Sequence, residues 1–587
     1  MRRCEYIYRY TNLNDTCYLT TMKNSIQHTF IILLLIITNY NNGFAQKTGQ
    51  QTANITVDLK NETGVMYPFW AWFGHDEPNY TYMKDGRKLL TELASLSPVP
   101  VYMRVHNLLT TGDGTPALKW GSTNAYTEDE KGNPVYNWQI IDSIFNTYIK
   151  RGMKPYAQIG FMPEALSTHP EPYQHHWQPG TANKLSTGWA YPPKDYHKWE
   201  ELVYQWVKHS VQKFGKTEVE SWYWEVWNEP NIEYWQGTRE EFFKLYDYAV
   251  NGAKRALPTI KIGGPEVAGT SGQGAISFLR AFIEHCINGV NYATGKTGTA
   301  IDLVSFHAKG QPQVVDGHVR MNMAPQLRDI STGFKIVKSY PETRDLPVII
   351  GESDPEGCAA CGMATNPANA YRNGTMYASY TAASFARKYL LADSLKVNFL
   401  GAVSWSFEFE NQPWFYGYRD LATNGVDKPV LNVFRMLGMM KGKRVKVDGN
   451  RMYSTKAVVD SSVRKAESDI GALASADKQS ITVMIWNYHD DDIKQKAEHV
   501  ELTIKNLSMR SATLTHYRID DEHSNAYEAW KKMGSPQNPD SAQIAELEKD
   551  GQLQMLEKPK KVNISAGQYK IELLLPRQGV SLIKLVR

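Results

Sequence analysis

The sequence predicts an α/β protein: a (β/α)8 TIM barrel with an additional C-terminal β-sandwich domain. Three observations carry that reading. Residues 221–231, Ser-Trp-Tyr-Trp-Glu-Val-Trp-Asn-Glu-Pro-Asn, form an aromatic, strand-like run that stops at Pro230, which has no N–H to give a ladder. Residues 346–352, Leu-Pro-Val-Ile-Ile-Gly-Glu, are apolar throughout, as strands buried on both faces are. Beyond about Val445 the pattern changes to short β-like runs separated by turns, the signature of a sandwich.

The first two runs both end in a glutamate, and the interval from Glu229 to Glu352 suits three βα units of roughly 40 residues each in a barrel. That places the glutamates on strands four and seven. The other strands read as Met66 to Gly74, Val101 to His106, Pro155 to Phe161, Thr259 to Gly263, Ile301 to His307 and Leu400 to Ser406. Their endings are polar or aromatic: His75, Arg104 and His106, Asn228 and Glu229, His307, Glu352, Trp405. Barrel active sites are built at the C-terminal ends of the strands, so these residues are expected to converge.

A carboxylic acid held at a strand end among tryptophans is partly desolvated and a candidate general acid near neutral pH, and the polar and aromatic endings suit a sugar site. Arg104 is expected to pair with Glu352 and keep it ionised, and His106 and His307 to hold hydroxyls or orient a carboxylate. Glu225 shares a strand face with Trp227 but sits deeper in the barrel. Just past strand eight, Glu410 is favoured over Glu408 for reaching sugar hydroxyls. Trp235 and other aromatics near the loops, among them Trp70, Trp72, Tyr80 and Trp414, offer faces for stacking on pyranose rings.

Trp227-Asn228-Glu229-Pro230-Asn231 resembles the acid/base motif of retaining clan A glycoside hydrolases, and Val348-Ile-Ile-Gly-Glu352 their nucleophile strand. Trp405-Ser406 is similar to the strand-eight tryptophan of the clan, whose following peptide is typically cis. Arg104-Val-His106-Asn-Leu-Leu, Ser305-Phe-His307, Ser404-Trp405-Ser406-Phe407-Glu408 and Gly425-Val-Asp-Lys-Pro429 resemble glycoside hydrolase family 39, the family of β-xylosidases and α-iduronidases. The likeness runs from about residue 66 to the C-terminus and takes in Tyr517-Arg518-Ile519-Asp520. It implies double displacement, with Glu229 as acid and then base, Glu352 as nucleophile, their carboxyl groups about 5–5.5 Å apart, and Asn228 on the sugar 2-hydroxyl. A β-xylosidase acting on oligosaccharides is the implied activity, and uronic-acid processing the alternative.

Composition narrows the classes. At 587 residues the chain exceeds one domain, and 42% hydrophobic residues allow a large core. A net charge of +4 with dispersed ions gives no case for nucleic acid. No phosphate-binding glycine loop is present, and no cofactor or metal is expected. Residues 1–45 read as a signal peptide: Phe30 to Ile37 is eight apolar residues behind Lys23, too short to span a membrane, and Gly43-Phe44-Ala45 resembles a cleavage site, with Met22 a second candidate start. Export to the periplasm or medium follows. Residues 46–65 are assigned to a strand joining the sandwich, 66–440 to the barrel, and 441–587 to the sandwich with a helical insertion at about 528–548. For Cys358-Ala-Ala-Cys361 a disulfide, a metal half-site and a redox pair compete. The absence of a second ligand pair nearby and of a thioredoxin-like context favours the disulfide.

Overall fold

The computed structural model describes residues 52–175 and 185–587. Residues 1–45, which read as a signal peptide, lie outside the described residues. Eight parallel strands close into a barrel: Trp72–His75, Tyr102–Val105, Lys154–Ile159, Tyr223–Val226, Ile262–Val267, Val304–His307, Val348–Glu352 and Phe399–Trp405. The first strand starts later than the sequence suggests, because Pro68 and the turn that follows it occupy Met66 to Ala71. The fifth differs more. Gly263-Gly264-Pro265 reads as a stop, yet the strand runs on to Val267 with an irregularity in its register against strand six. This extension carries Glu266 into the barrel mouth.

Helices such as Tyr196–Phe214 and Arg239–Ala256 form the outer ring. The latter starts in a capping box in which Thr238 and Glu241 exchange side-chain and backbone hydrogen bonds. Inside the barrel, Trp72, Tyr156, Leu303, Ile349 and Val403 fill the interior beneath Trp405.

The second layer is a nine-stranded, largely antiparallel sheet. Ala53–Val65 lies within it, antiparallel to Lys443–Gly449 and parallel to Glu498–Lys505. Val562 near one edge and Leu573 near the other share a single apolar cluster, so the sheet folds over upon itself around a core of its own, as a sandwich does. Its other face joins the barrel. Met484, Trp486 and Tyr488 belong to the same core as Tyr377, Phe385 and Tyr389 of helix Thr375–Leu395, which is therefore buried on nearly every side. Two further helices, Ala526–Lys532 and Ser541–Gly551, pack on Trp414 and Phe415 from the loop after strand eight. No helix among the described residues is long and apolar enough to cross a membrane.

Candidate active site

The strand ends surround a cleft of about 550 Å³ bordered by Asn228, Glu229, Tyr234, Lys309, Glu352 and Trp405, with Asp76 and Lys119 on one side and Cys358 on another. Glu229 reaches it through an unusual turn. Trp227 and Glu229 both have left-handed backbone, φ 73° and 47°, at a cost of order 1–3 kcal/mol each. The surroundings hold that conformation: the Trp227 indole donates to the Tyr234 carbonyl at 2.8 Å, and the Glu229 N–H donates to the Glu266 carbonyl at 3.0 Å.

Arg104 is the hub beneath the cleft. It is fully buried. Its Nε donates to Glu225 at 2.8 Å, Nη1 to Glu352 at 3.1 Å and Nη2 to the Asn228 side-chain oxygen at 3.1 Å, while the guanidinium lies 4.7 Å from the Trp405 ring centre. With its oxygen so engaged, Asn228 presents its NH2 donor to the cleft.

Glu352 is held ionised. Burial alone would raise its carboxyl, but Lys309 at 2.5 Å, His307 at 3.8 Å and Arg104 together keep it well below the usual carboxylate range. His307 is fully buried, 2.7 Å from Glu229 through Nδ1 and 3.1 Å from Glu266 through Nε2. Burial would depress the imidazole, yet Glu352, Glu229 and Glu266 raise its pKa to about 9. One oxygen each of Glu229 and Glu352 and a His307 nitrogen all lie within 4.8 Å of one another. Three such donors could suit a cation, but Glu352 already faces Lys309 and Arg104, which would repel one.

His106 stands beside Glu352, its Nε2 4.0 Å away, and pairs through Nδ1 with Asp76 at 2.9 Å. Burial and then Arg104 lower its pKa to about 4, so it is a neutral donor to Asp76, which Lys119 also grips.

Of the residues expected to bind substrate, Asn228 and Trp405 border the cleft, Arg104, His106 and His307 lie buried outside its lining, and three more are engaged elsewhere. His75 is stacked on Phe407 and bonds the Glu77 carbonyl and the Tyr148 hydroxyl, because strand one ends under the loop rather than at the rim. Trp235 turns into the core between Trp227 and Phe242 and donates to the Thr238 carbonyl. Glu410 accepts from the backbone N–H of Asp85, at the start of helix Lys84–Leu96, whose own first residues supply no side-chain cap. Trp70, Trp72, Tyr80 and Trp414 are likewise buried packing residues. The peptide after Trp405 is not cis; among the described residues the cis bonds are Gly160–Phe161 and Gly264–Pro265.

Sequence reasoning passed over Glu266, which was hidden behind Gly-Gly-Pro. The polar segment Gly74 to Tyr80 reads as part of the rim; its Asp76 does border the cleft, whereas Glu77, Asn79 and Tyr80 are buried. Cys358 and Cys361 are joined in a disulfide, and Cys286 is free and buried.

A closed parallel barrel with two close carboxylates and an arginine clamp at its C-terminal mouth defines a glycoside hydrolase. Residues 53–567 match the model of glycosyl hydrolases family 39, and the chain belongs to that family. It is 26% identical over 513 residues to a β-xylosidase of Caldicellulosiruptor saccharolyticus, spanning 85% of this chain and 91% of that one. An α-L-iduronidase of Mus musculus is 23% identical over 382 residues, 60% of this chain and 56% of its own. The fold is similar to that of a monomeric β-xylosidase from Caulobacter crescentus CB15, with a TM-score of 0.69 at 21% identity over 91% of this chain and 99% of that one.

Proposed function

We propose that the protein is an exported, retaining β-xylosidase that acts on xylose-terminated oligosaccharides by double displacement. The observation that carries the mechanism is the spacing of Glu229 and Glu352, whose nearest oxygens lie within 4.8 Å. That spacing supports the retaining arrangement, with carboxyl groups about 5–5.5 Å apart, over the inverting one, whose groups stand roughly 6.5–9.5 Å apart to admit a water. In this reading Glu229 protonates the leaving oxygen as Glu352 bonds to the anomeric carbon, and Glu229 then takes a proton from the water that releases the sugar. Lys309, Arg104 and His307 keep Glu352 anionic and so ready to attack. Asn228 donates to the 2-hydroxyl, a bond that tightens in the transition state.

Charge matching supports a neutral glycone. Lys119 faces Asp76 and Lys309 faces Glu352 and Asp354, so among the described residues each lysine bordering the cleft is already balanced. A uronate would need one to spare. The iduronidase relatives keep that alternative as the competing reading. Export rests on the apolar run at Phe30 to Ile37, and the Cys358–Cys361 disulfide fits an oxidising compartment.

The test is to compare Glu229→Ala with Glu352→Ala on aryl glycosides. Glu352→Ala should be inactive throughout. Glu229→Ala should release a burst of phenol from an activated aryl β-xyloside, turn over more than about tenfold more slowly, roughly 1.4 kcal/mol of barrier, and yield a β-glycosyl azide when azide is added. Exchanged phenotypes would reverse the roles. A preference for aryl α-iduronide over β-xyloside would replace the glycone.

A further inference from the structure

We infer that Glu266 is a positioning residue that works through His307 to keep a transferable proton at Glu229. The inference rests on the acid/base reading of Glu229 and extends it to a residue no sequence motif marks. Glu266 is completely buried, with left-handed backbone at φ 54°. Its carbonyl accepts the Glu229 N–H, and its carboxylate meets the far side of the imidazole whose near side meets the Glu229 carboxyl. The 2.7 Å contact to Glu229 is a hydrogen bond, whereas the 3.1 Å contact to Glu266 lies off the line of a straight N–H···O bond and acts as an ion contact.

The chain around this pair fixes Glu266. The Tyr156 hydroxyl donates to it at 2.5 Å, and Arg104 Nε lies 3.9 Å away. Gly351, just before the nucleophile, has no side chain because a Cβ there would fall 1.9 Å from the Glu266 carboxylate. Burial pushes the Glu225 carboxyl well up, with the charge of Glu266 adding to the effect against the pull of Arg104. Glu266 itself would be raised by burial but is held well below the ordinary range by Arg104, Glu225 and His307. Its contacts therefore favour the anion beside His307. The other charged groups facing His307 are Glu229 and Glu352, with Arg104 and Lys309 behind Glu352.

Proton accounting gives that charge a purpose. Glu229 and His307 together hold one proton beyond the one on Nε2. As the glycosidic C–O bond breaks and Glu352 bonds to the anomeric carbon, this proton passes to the leaving oxygen, and His307 is left neutral with its Nε2–H toward Glu266. When water bonds to the anomeric carbon and the ester to Glu352 breaks, the water's proton returns to the pair. A fixed anion behind the imidazole raises its hold on the proton between turnovers.

The experiment is 15N NMR titration of the histidine rings in the full chain, with His307 assigned among the 15 histidines by the signal lost in His307→Asn. Removing the anion lowers proton affinity, so Glu266→Gln should move the His307 midpoint down by about one pH unit or more, tenfold in affinity. The alkaline limb of kcat/KM on an unactivated aryl β-xyloside should move the same way, with the rate on an activated one much less affected. An unchanged midpoint in Glu266→Gln overturns the inference. If that variant does not fold, Glu266→Asp withdraws the carboxylate by one methylene and must still lower the midpoint; an unchanged value there overturns it equally. The titration needs no substrate, so it reads independently of the glycone, whereas full activity in Glu229→Gln would remove the acid/base reading itself.

Discussion

At the scale of single residues, the site is organised by one buried cation. Arg104 touches Glu225, Glu352 and Asn228 and lies against Trp405, so it holds together the nucleophile, the 2-hydroxyl donor and the sugar platform of the proposed mechanism. A planar guanidinium can do this because its donors are fixed in a fork, which a lysine ammonium cannot reproduce. Arg104→Met should therefore leave Glu352 and Glu266 facing each other without the cation between them. The expected cost is about 3–5 kcal/mol of stability, as when one partner of a buried pair is removed, together with loss of turnover. Chemical denaturation of the variant checks it; a loss under about 1 kcal/mol would show that the clamp is dispensable.

At the scale of elements, the loops after the strands divide into those that face the cleft and those that brace the barrel. The loop after strand seven does both: Arg372 donates to the carbonyls of Cys358 and Cys361 from below while Cys358 borders the cleft. The loop after strand eight braces. Its Glu410 serves helix Lys84–Leu96 as a cap, and its Trp414 and Phe415 anchor the inserted helices. Glu410→Ala should cost about 1 kcal/mol of stability, the usual worth of a cap, and leave KM unchanged. A raised KM at unaltered stability would return Glu410 to the substrate.

At the scale of the whole molecule, barrel and sheet are joined by a common core and by a buried ion pair, Arg387 to Asp469 at 2.7 Å, both nearly inaccessible. Asp469 also accepts from the Trp486 indole. With so much apolar surface shared, neither part can expose its face to water without a large loss. Calorimetry should show a single unfolding transition. Asp469→Ala should lower its midpoint, with a cost of about 3–5 kcal/mol for the stranded arginine, and a chain ending at residue 441 should not yield a soluble barrel. Two separable transitions would make the domains independent.

The sequence by itself determined the barrel, the sheet that follows it and the two glutamates. Continuous apolar runs ending in a polar residue leave few other folds, and a proline after Glu229 marks its strand end without any tertiary information. What only the tertiary structure decided is which strand-end side chains turn inward. His75, Trp235 and Glu410 carry the residue types of a sugar site, but a neighbouring hydroxyl, the aromatic core and a helix start, respectively, claimed them first. Glu266 was concealed for the opposite reason. A Gly-Gly-Pro sequence signals a stop in isolation, whereas pairing with strand six within a closed barrel carries the strand four residues further, to Val267, and brings the Glu266 carboxylate to His307. Local chemistry sets where a strand can end; the neighbours it meets decide where its last side chain points.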